Sequence, residues 1–171
     1  MTIVIDTHRL LLRKFTNKDA VLIYELNQDP EVTRFTHDPI ESLEQAATVL
    51  AQNILPQYDL YNYGRWAVHL KSTAESIGWC GLKYRPELKE VDLGYRFKKN
   101  SWGHGYATEA ADASIRYGLE KLRISRITGR AETGNLGSIR VLEKCGMIYI
   151  GNEKIDGYPV RVYAITQQVG G

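Results

Sequence analysis

Val91-Asp-Leu-Gly-Tyr-Arg-Phe97, Lys98-Lys-Asn-Ser-Trp-Gly-His-Gly105 and Tyr106-Ala-Thr-Glu-Ala110 follow one another without interruption. They read as an apolar strand, a loop carrying two glycines and the start of an alanine-rich helix. That succession builds an anion site. The loop turns backbone N–H groups inward, and the helix adds unpaired N–H groups and the positive end of its macrodipole. Gly103 and Gly105 keep side chains out of the path of a pyrophosphate and permit positive φ. Two nucleotide motifs fail here. A P-loop requires Lys-Ser/Thr after its last glycine, and the dinucleotide fingerprint requires Gly or Ala where Thr108 stands.

Outward from that stretch, periodicity divides the chain. Residues 8–14 read as a strand and 17–28 as a helix, stopped at Asp29-Pro30 because the residue before a proline resists αR geometry. Ser42-x-x-Gln45 is a capping-box pattern opening a second helix, with apolar positions from Leu43 to Ile54, an end at Pro56 and a loop over 57–64. Residues 65–71, 77–85 and 90–97 have strand length and pattern, which predicts an antiparallel meander. The helix after the glycine loop spans 105–121, its Ala107, Ala110, Ala111, Ile115, Gly118 and Leu122 recurring at helical spacing. A strand at 127–132, a helix at 136–145 between Asn135 and Gly146, and a hairpin of 147–154 with 158–166 across Asp156-Gly157 follow. The pattern predicts an α+β mixed sheet with helices on its faces.

A chain of 171 residues without repeats or a Ser/Gly/Pro-rich linker fits one domain over 1–171. Its net charge of +2 is too small to indicate nucleic acid and gives only a mild bias toward an anionic co-substrate. There is no basic-then-apolar leader and no run of about eighteen apolar residues, so no membrane partner and a cytoplasmic location are expected. Cys80 and Cys145 lie far apart inside apolar patterns and read as buried free thiols. His8, His37 and His69 show no ligand spacing, and no metal is expected.

Asn100-Ser-Trp-Gly-His-Gly105 resembles the acyl-CoA loop of the GNAT N-acetyltransferase superfamily, Arg/Gln-x-x-Gly-x-Gly/Ala. The longer run Trp102-Gly-His-Gly-Tyr-Ala-Thr-Glu-Ala110 resembles the RimJ/RimL branch, named for ribosomal-protein N-terminal acetyltransferases. Thr7-His-Arg-Leu-Leu-Leu-Arg13, Asp19-Ala20 and Asp29-Pro-Glu-Val32 are similar to the beginning of that branch, and Asn135-x-x-Ser138-x-Arg140-Val-Leu-Glu-Lys-Cys-Gly-Met147 to its later segment. Asn100 departs from the pattern, because its amide reaches a phosphate without bringing charge. The resemblance implies a GNAT fold, a mostly antiparallel mixed sheet of about seven strands splayed in the middle. It also implies acetyl-CoA as co-substrate without a metal, an amine acceptor, and a monomer or homodimer.

The same resemblance assigns roles. The pantetheine arm would pair with the backbone of Gly94, Tyr95, Arg96 and Phe97, and the pyrophosphate would meet Asn100, Trp102, Gly103, His104, Gly105, Tyr106, Ala107 and Thr108. Asn135, Ser138, Arg140 and Lys144 would complete the cofactor contacts. Amine acetylation needs a neutral nitrogen, a stabilised oxyanion and a proton for the departing thiolate. Asp92 is the first candidate base, acting through water, against the alternative of a strand residue facing solvent. Glu109 competes, although the first turn of a helix suits it better to the macrodipole. Ser138 is the candidate acid, against a helix-start serine that bonds only backbone, while Tyr149 and Tyr163 match no motif. Trp102 is expected to pack the loop onto the sheet, and His104 to offer its backbone N–H. Phe35, His37, Tyr58, Tyr61, Tyr63 and Trp66 line an acceptor pocket or merely pack. Three functions stay open: an N-acetyltransferase with a direct, ternary-complex mechanism, a non-catalytic acyl-CoA-binding module, and a phosphate-binding regulator. The identity of the amine is not written in these residues.

Overall fold

The computed structural model describes residues 1–167. Eight strands form one sheet in the order β1-β2-β3-β4-β5-β6-β8-β7. They are β1 (Ile3–Asp6), β2 (Leu10–Lys14), β3 (Arg65–Leu70), β4 (Ser76–Arg85), β5 (Glu90–Phe97), β6 (Arg126–Glu132), β7 (Ile148–Ile155) and β8 (Tyr158–Thr166). Every neighbouring pair is antiparallel except β5 with β6. A parallel pair needs a long crossover, supplied by α4 (Tyr106–Arg116) and the π-helical turn Tyr117–Lys121. That pair is short: Val91 faces Ile127, Asp92 faces Thr128, Leu93 faces Gly129, and there the pairing ends. Beyond it the strands part, and 94–97 and 130–132 border a notch in the sheet.

Side-chain alternation assigns the two faces. On one, α4 and α5 (Leu136–Lys144) bury Ala110, Ala111, Ile115, Ile139 and Leu142 against Trp66, Val68, Leu82, Leu93 and Ile127. On the other, α1 (Ala20–Gln28) and α2 (Leu43–Val49) bury Leu22, Ile23, Leu26 and Ala46 over Phe15 and Ala67. Local signals start these helices. The Thr16 hydroxyl accepts from Lys18 N while Asp19 accepts from Thr16 N, a reciprocal cap. Ser42 accepts from Gln45 N at 3.0 Å, but the Gln45 side chain reaches Glu41 N, so half of the expected capping box forms. At the distal hairpin Asp156 and Gly157 both have positive φ, as a two-residue Asp-Gly turn requires.

The mixed sheet of about seven strands forms with eight, because Ile3–Asp6 adds to the edge at β2; four residues are too few to register as a period-two pattern. One expectation is corrected. The second helix does not end at Pro56. It passes through the π-helical turn Leu50–Ile54 into α3 (Leu55–Tyr61), which occupies most of the expected loop 57–64. Proline is tolerated because it stands in the first turn of α3, where its missing N–H is not needed. Asn62, at φ 64°, ends that helix. The added turns place Tyr58, whose hydroxyl accepts from Phe15 N at 2.9 Å and donates to the Arg65 carbonyl.

β3 and β4 approach closely at Gly81, where a Cβ would stand 2.2 Å from the Gly64 carbonyl oxygen. Gly81→Ala therefore has to push backbone apart, and a loss of about 3 kcal/mol is expected. Urea denaturation checks it: a lowered midpoint at unchanged slope is the expected outcome, and an unchanged midpoint contradicts the close approach.

Candidate active site

β5 ends at Phe97, and a 3₁₀ turn, Lys99–Ser101, leads into the glycine loop. Trp102 does not enter the core: it is exposed and ties the loop down by donating Nε1–H to the Phe97 carbonyl at 2.9 Å. Gly103 and Gly105 adopt φ of 82° and 81°, the left-handed region where other residues are strained. Gly105 is the N-cap of α4 and no side chain caps that end, so the N–H groups of Tyr106, Ala107 and Thr108 stay available. The loop is held from the far edge of the sheet. Arg9 donates Nη1–H to the His104 carbonyl at 2.8 Å and pairs through Nε with Glu109 at 2.7 Å. Glu109 also accepts from Thr7 Oγ1 at 2.6 Å and Arg9 N at 2.9 Å, so it is a clamp on the loop. Burial pushes its carboxyl up, and the bonds from Thr7 and Arg9 outweigh this and hold it below its ordinary value.

A cleft of about 1210 Å³ runs from this loop along the notch to the opposite face of the sheet. Pockets for one drug-sized ligand hold roughly 300–1,000 Å³. Tyr95, Arg96, Phe97, Trp102, Gly103, Gly105, Tyr106, Ala107, Thr108, Asn135, Ser138, Arg140, Lys144 and Asp92 all line it. Two expected members do not. Asn100 lies in a separate depression with Lys98, Lys99 and Glu25, turned away by the 3₁₀ turn, and the His104 ring stacks on Tyr106 at 5.4 Å. Among the aromatic candidates, Phe35 and His37 line the cleft. Tyr58, Tyr61, Tyr63 and Trp66 pack instead; Trp66 is buried edge-on against Tyr117, and Tyr61 lies on Tyr84.

Asn135 caps α5 by accepting from Ser138 N at 3.2 Å, which aims the first turn of α5 at the notch. There the Ser138 Oγ meets the Tyr95 hydroxyl at 2.6 Å. Burial pushes the Tyr95 phenol upward despite the opposing bond from Ser138, so it keeps its proton at neutral pH. Sequence reasoning counted Tyr95 only for its backbone. Nothing local announces the pair, because the two residues meet only when α5 crosses the notch.

Asp92 does not face solvent. It is 4 % exposed, and its Oδ2 accepts from Arg65 Nη2 at 3.0 Å and Arg85 Nη2 at 3.3 Å. Oδ1 is less engaged, its cation Arg130 lying 3.9 Å away. Arg65 also donates Nη1–H to the carbonyls of Gly81 and Asp92, each at 2.9 Å, and lies over the Trp79 ring at 5.1 Å. Gly94 makes room for it: a Cβ there would come within 2.6 Å of Arg65 Nη2. Arg130 is held in turn by Glu90 at 2.9 Å and Glu153 at 3.0 Å.

The model of the GNAT acetyltransferase domain matches residues 9–148, and the chain belongs to that family. It is similar to the uncharacterized N-acetyltransferase p20 of Bacillus licheniformis, 33% identical over 94% of this chain and 93% of that protein. A GNAT-family acetyltransferase of Bacillus anthracis superposes with a TM-score of 0.82 at 27% identity, covering 98% of this chain and 99% of the other. The ribosomal-protein alpha-N-acetyltransferase RimL, solved with coenzyme A, shares the fold with a TM-score of 0.82 at 17% identity over 98% and 99% of the two chains. The protein is thus an N-acetyltransferase by family and fold.

The Arg9–Glu109 clamp generates a test. With its folded value lowered, Glu109 adds stability that is complete above its unfolded pKa, about 4.3, and is lost as pH falls through the lower folded value. Glu109→Gln should flatten the acid limb of the stability curve below about pH 4, and an unchanged limb removes the clamp. Arg9→Ala should speed amide exchange at 102–106 while β3 and β4 keep their protection.

Proposed function

We propose that the protein transfers acetyl from acetyl-CoA to a primary amine by direct attack within a ternary complex, as a RimJ/RimL-like enzyme. The observation that carries this reading is the continuity of one cleft from an uncapped glycine loop, through a break in the sheet, to a carboxylate on the other face. The loop N–H groups and the first turn of α4 suit a pyrophosphate. The backbone of 94–97, free of a sheet partner on the notch side, suits the amides of a pantetheine arm, and an N–H there would polarise the thioester carbonyl. The volume suits two reactants side by side, which a one-site binding module does not need.

Two observations support a route for the proton. Asp92 receives the amine proton through a water at Oδ1, the less engaged oxygen, whose cation Arg130 lies 3.9 Å away. Ser138 donates to the departing sulfur, with the Tyr95 phenol behind it as a protonated reserve. In the balanced reaction the C–N bond forms, the C–S bond breaks, and one proton passes from nitrogen to sulfur. A thiol of pKa near 8.5 leaves without much help, so the acid accelerates by about tenfold to a hundredfold.

Thiol release from acetyl-CoA with a panel of amines tests the whole reading: acceptor-dependent release is expected, and binding without release would leave a non-catalytic module. Gly105→Glu should abolish acetyl-CoA binding in calorimetry while circular dichroism stays unchanged. Ser138→Ala and Tyr95→Phe should each slow single-turnover transfer by about tenfold to a hundredfold; parent rates in both exclude the pair as the acid. Asp92→Asn should lower kcat with little change in acetyl-CoA affinity. It should also cost about 3 kcal/mol of stability, because Arg65 and Arg85 lose their counter-ion.

A further inference from the structure

In the half of the cleft away from the glycine loop most carboxylates already have partners: Asp38 pairs with Arg96, Glu132 with His37 and Glu153 with Arg130. On that face of the sheet β3, β4 and β6 bring Arg65, Lys83, Arg85 and Arg130 around Asp92, all of them lining the cleft. Arg65 is consumed by Asp92 and two carbonyls, and Arg130 by Glu90 and Glu153. Two cations remain under-used. Lys83 has no ion pair and no side-chain hydrogen bond among the described residues, and Arg85 makes one contact at 3.3 Å to an oxygen already shared with Arg65. The Nε of Arg85 is buried without a partner. Burial first, then Arg65 and Arg85, push the Lys83 ammonium's pKa down against the weaker pull of Asp92 and Glu87. A polyamine entering here would meet uncompensated cations beside Asp92. A ligand with its own anion would supply the missing acceptors, in the planar fork geometry that guanidinium favours.

We infer that the acceptor is a small amine bearing a carboxylate or a phosphate, with Lys83 and Arg85 as its specificity-determining residues. The inference rests on the acetyltransferase reading above. The anion seats between those two side chains, which leaves the amine to approach Asp92 and the notch. In the transfer the nitrogen gains the acetyl carbon, coenzyme A leaves as the thiol, and the anion is unchanged.

The test measures thiol release with the full chain and matched acceptors: glycine, β-alanine and γ-aminobutyrate against their primary amides, phosphoethanolamine against ethanolamine, and spermidine. A carboxylate near the amine favours its protonated form, so any preference for the acids runs against intrinsic reactivity. The expected result is kcat/KM about tenfold or more higher for at least one anionic member than for its neutral partner. The carboxylate and phosphate arms tell which anion is used. Lys83→Gln with Arg85→Gln should bring that ratio close to one, and Lys83→Gln alone should lower it should the double variant fail to fold. Amides or spermidine acetylated as well as the acids overturn the inference while leaving the transferase reading intact. Should no amine release thiol from a protein that binds acetyl-CoA, the transferase reading fails instead. The anion site is then judged by calorimetry of the CoA-loaded protein with N-acetyl-γ-aminobutyrate and its amide. Binding of the acid alone, lost in Lys83→Gln, keeps the site, and equal or absent binding overturns it.

Discussion

The parting of β5 from β6 after three paired residues is the constraint on which the rest depends. A sheet interior normally satisfies every backbone group, and an unpaired strand segment inside it is costly unless a partner arrives. Here the free segments face a cleft, and the surrounding structure is built to keep them apart. The α5 helix crosses the opening on one face, fixed by the Asn135 cap and the Tyr95–Ser138 bond. On the other face the strap between α1 and α2 reaches across it. Its Asp38 pairs with Arg96 at 3.0 Å, and its His37 bonds Glu132 at 2.9 Å and stacks on Tyr158 at 3.8 Å.

Charge gathers at the foot of the notch, where β5 and β6 are still paired: Asp92, opposite Thr128, meets Arg65, Arg85 and Arg130. Buried ion clusters are weak stabilisers, because desolvation offsets most of the Coulomb gain, so such a cluster is better understood through what it positions. It keeps a carboxylate, a stacked guanidinium over Trp79 and two under-used cations on one side of the sheet. Gly81 and Gly94 are the backbone conditions for that cluster, since a side chain at either would collide with the Arg65 neighbourhood.

The glycine loop, strand meander, long crossover helix and final hairpin were all legible, because each rests on a local rule: positive φ at glycine, period two, period 3.6, an Asp-Gly turn. The corrections came where a local rule was outvoted. Pro56 reads as a stop but sits in a first turn reached through a π-helical segment that no propensity announces. For Tyr58, Tyr61, Tyr63 and Trp66 pocket wall and packing stayed open, because aromatic residues look alike in sequence whether they line a cavity or fill a core, and the fold packs them.

By itself the sequence determined the glycine loop, the class of fold and the lining residues that β5, the loop and α5 bring to the cleft, because glycines, caps and hydrophobic periods act over a few residues. Only the tertiary structure decided what those residues do to one another. Arg9 grips Glu109 across 100 positions of chain, Tyr95 meets Ser138 across 43, and Asp92 is enclosed by arginines from β3, β4 and β6. Charge partners and hydroxyl pairs carry no local pattern; they exist once the sheet has set its register and the helices have docked, and so they are properties of the fold.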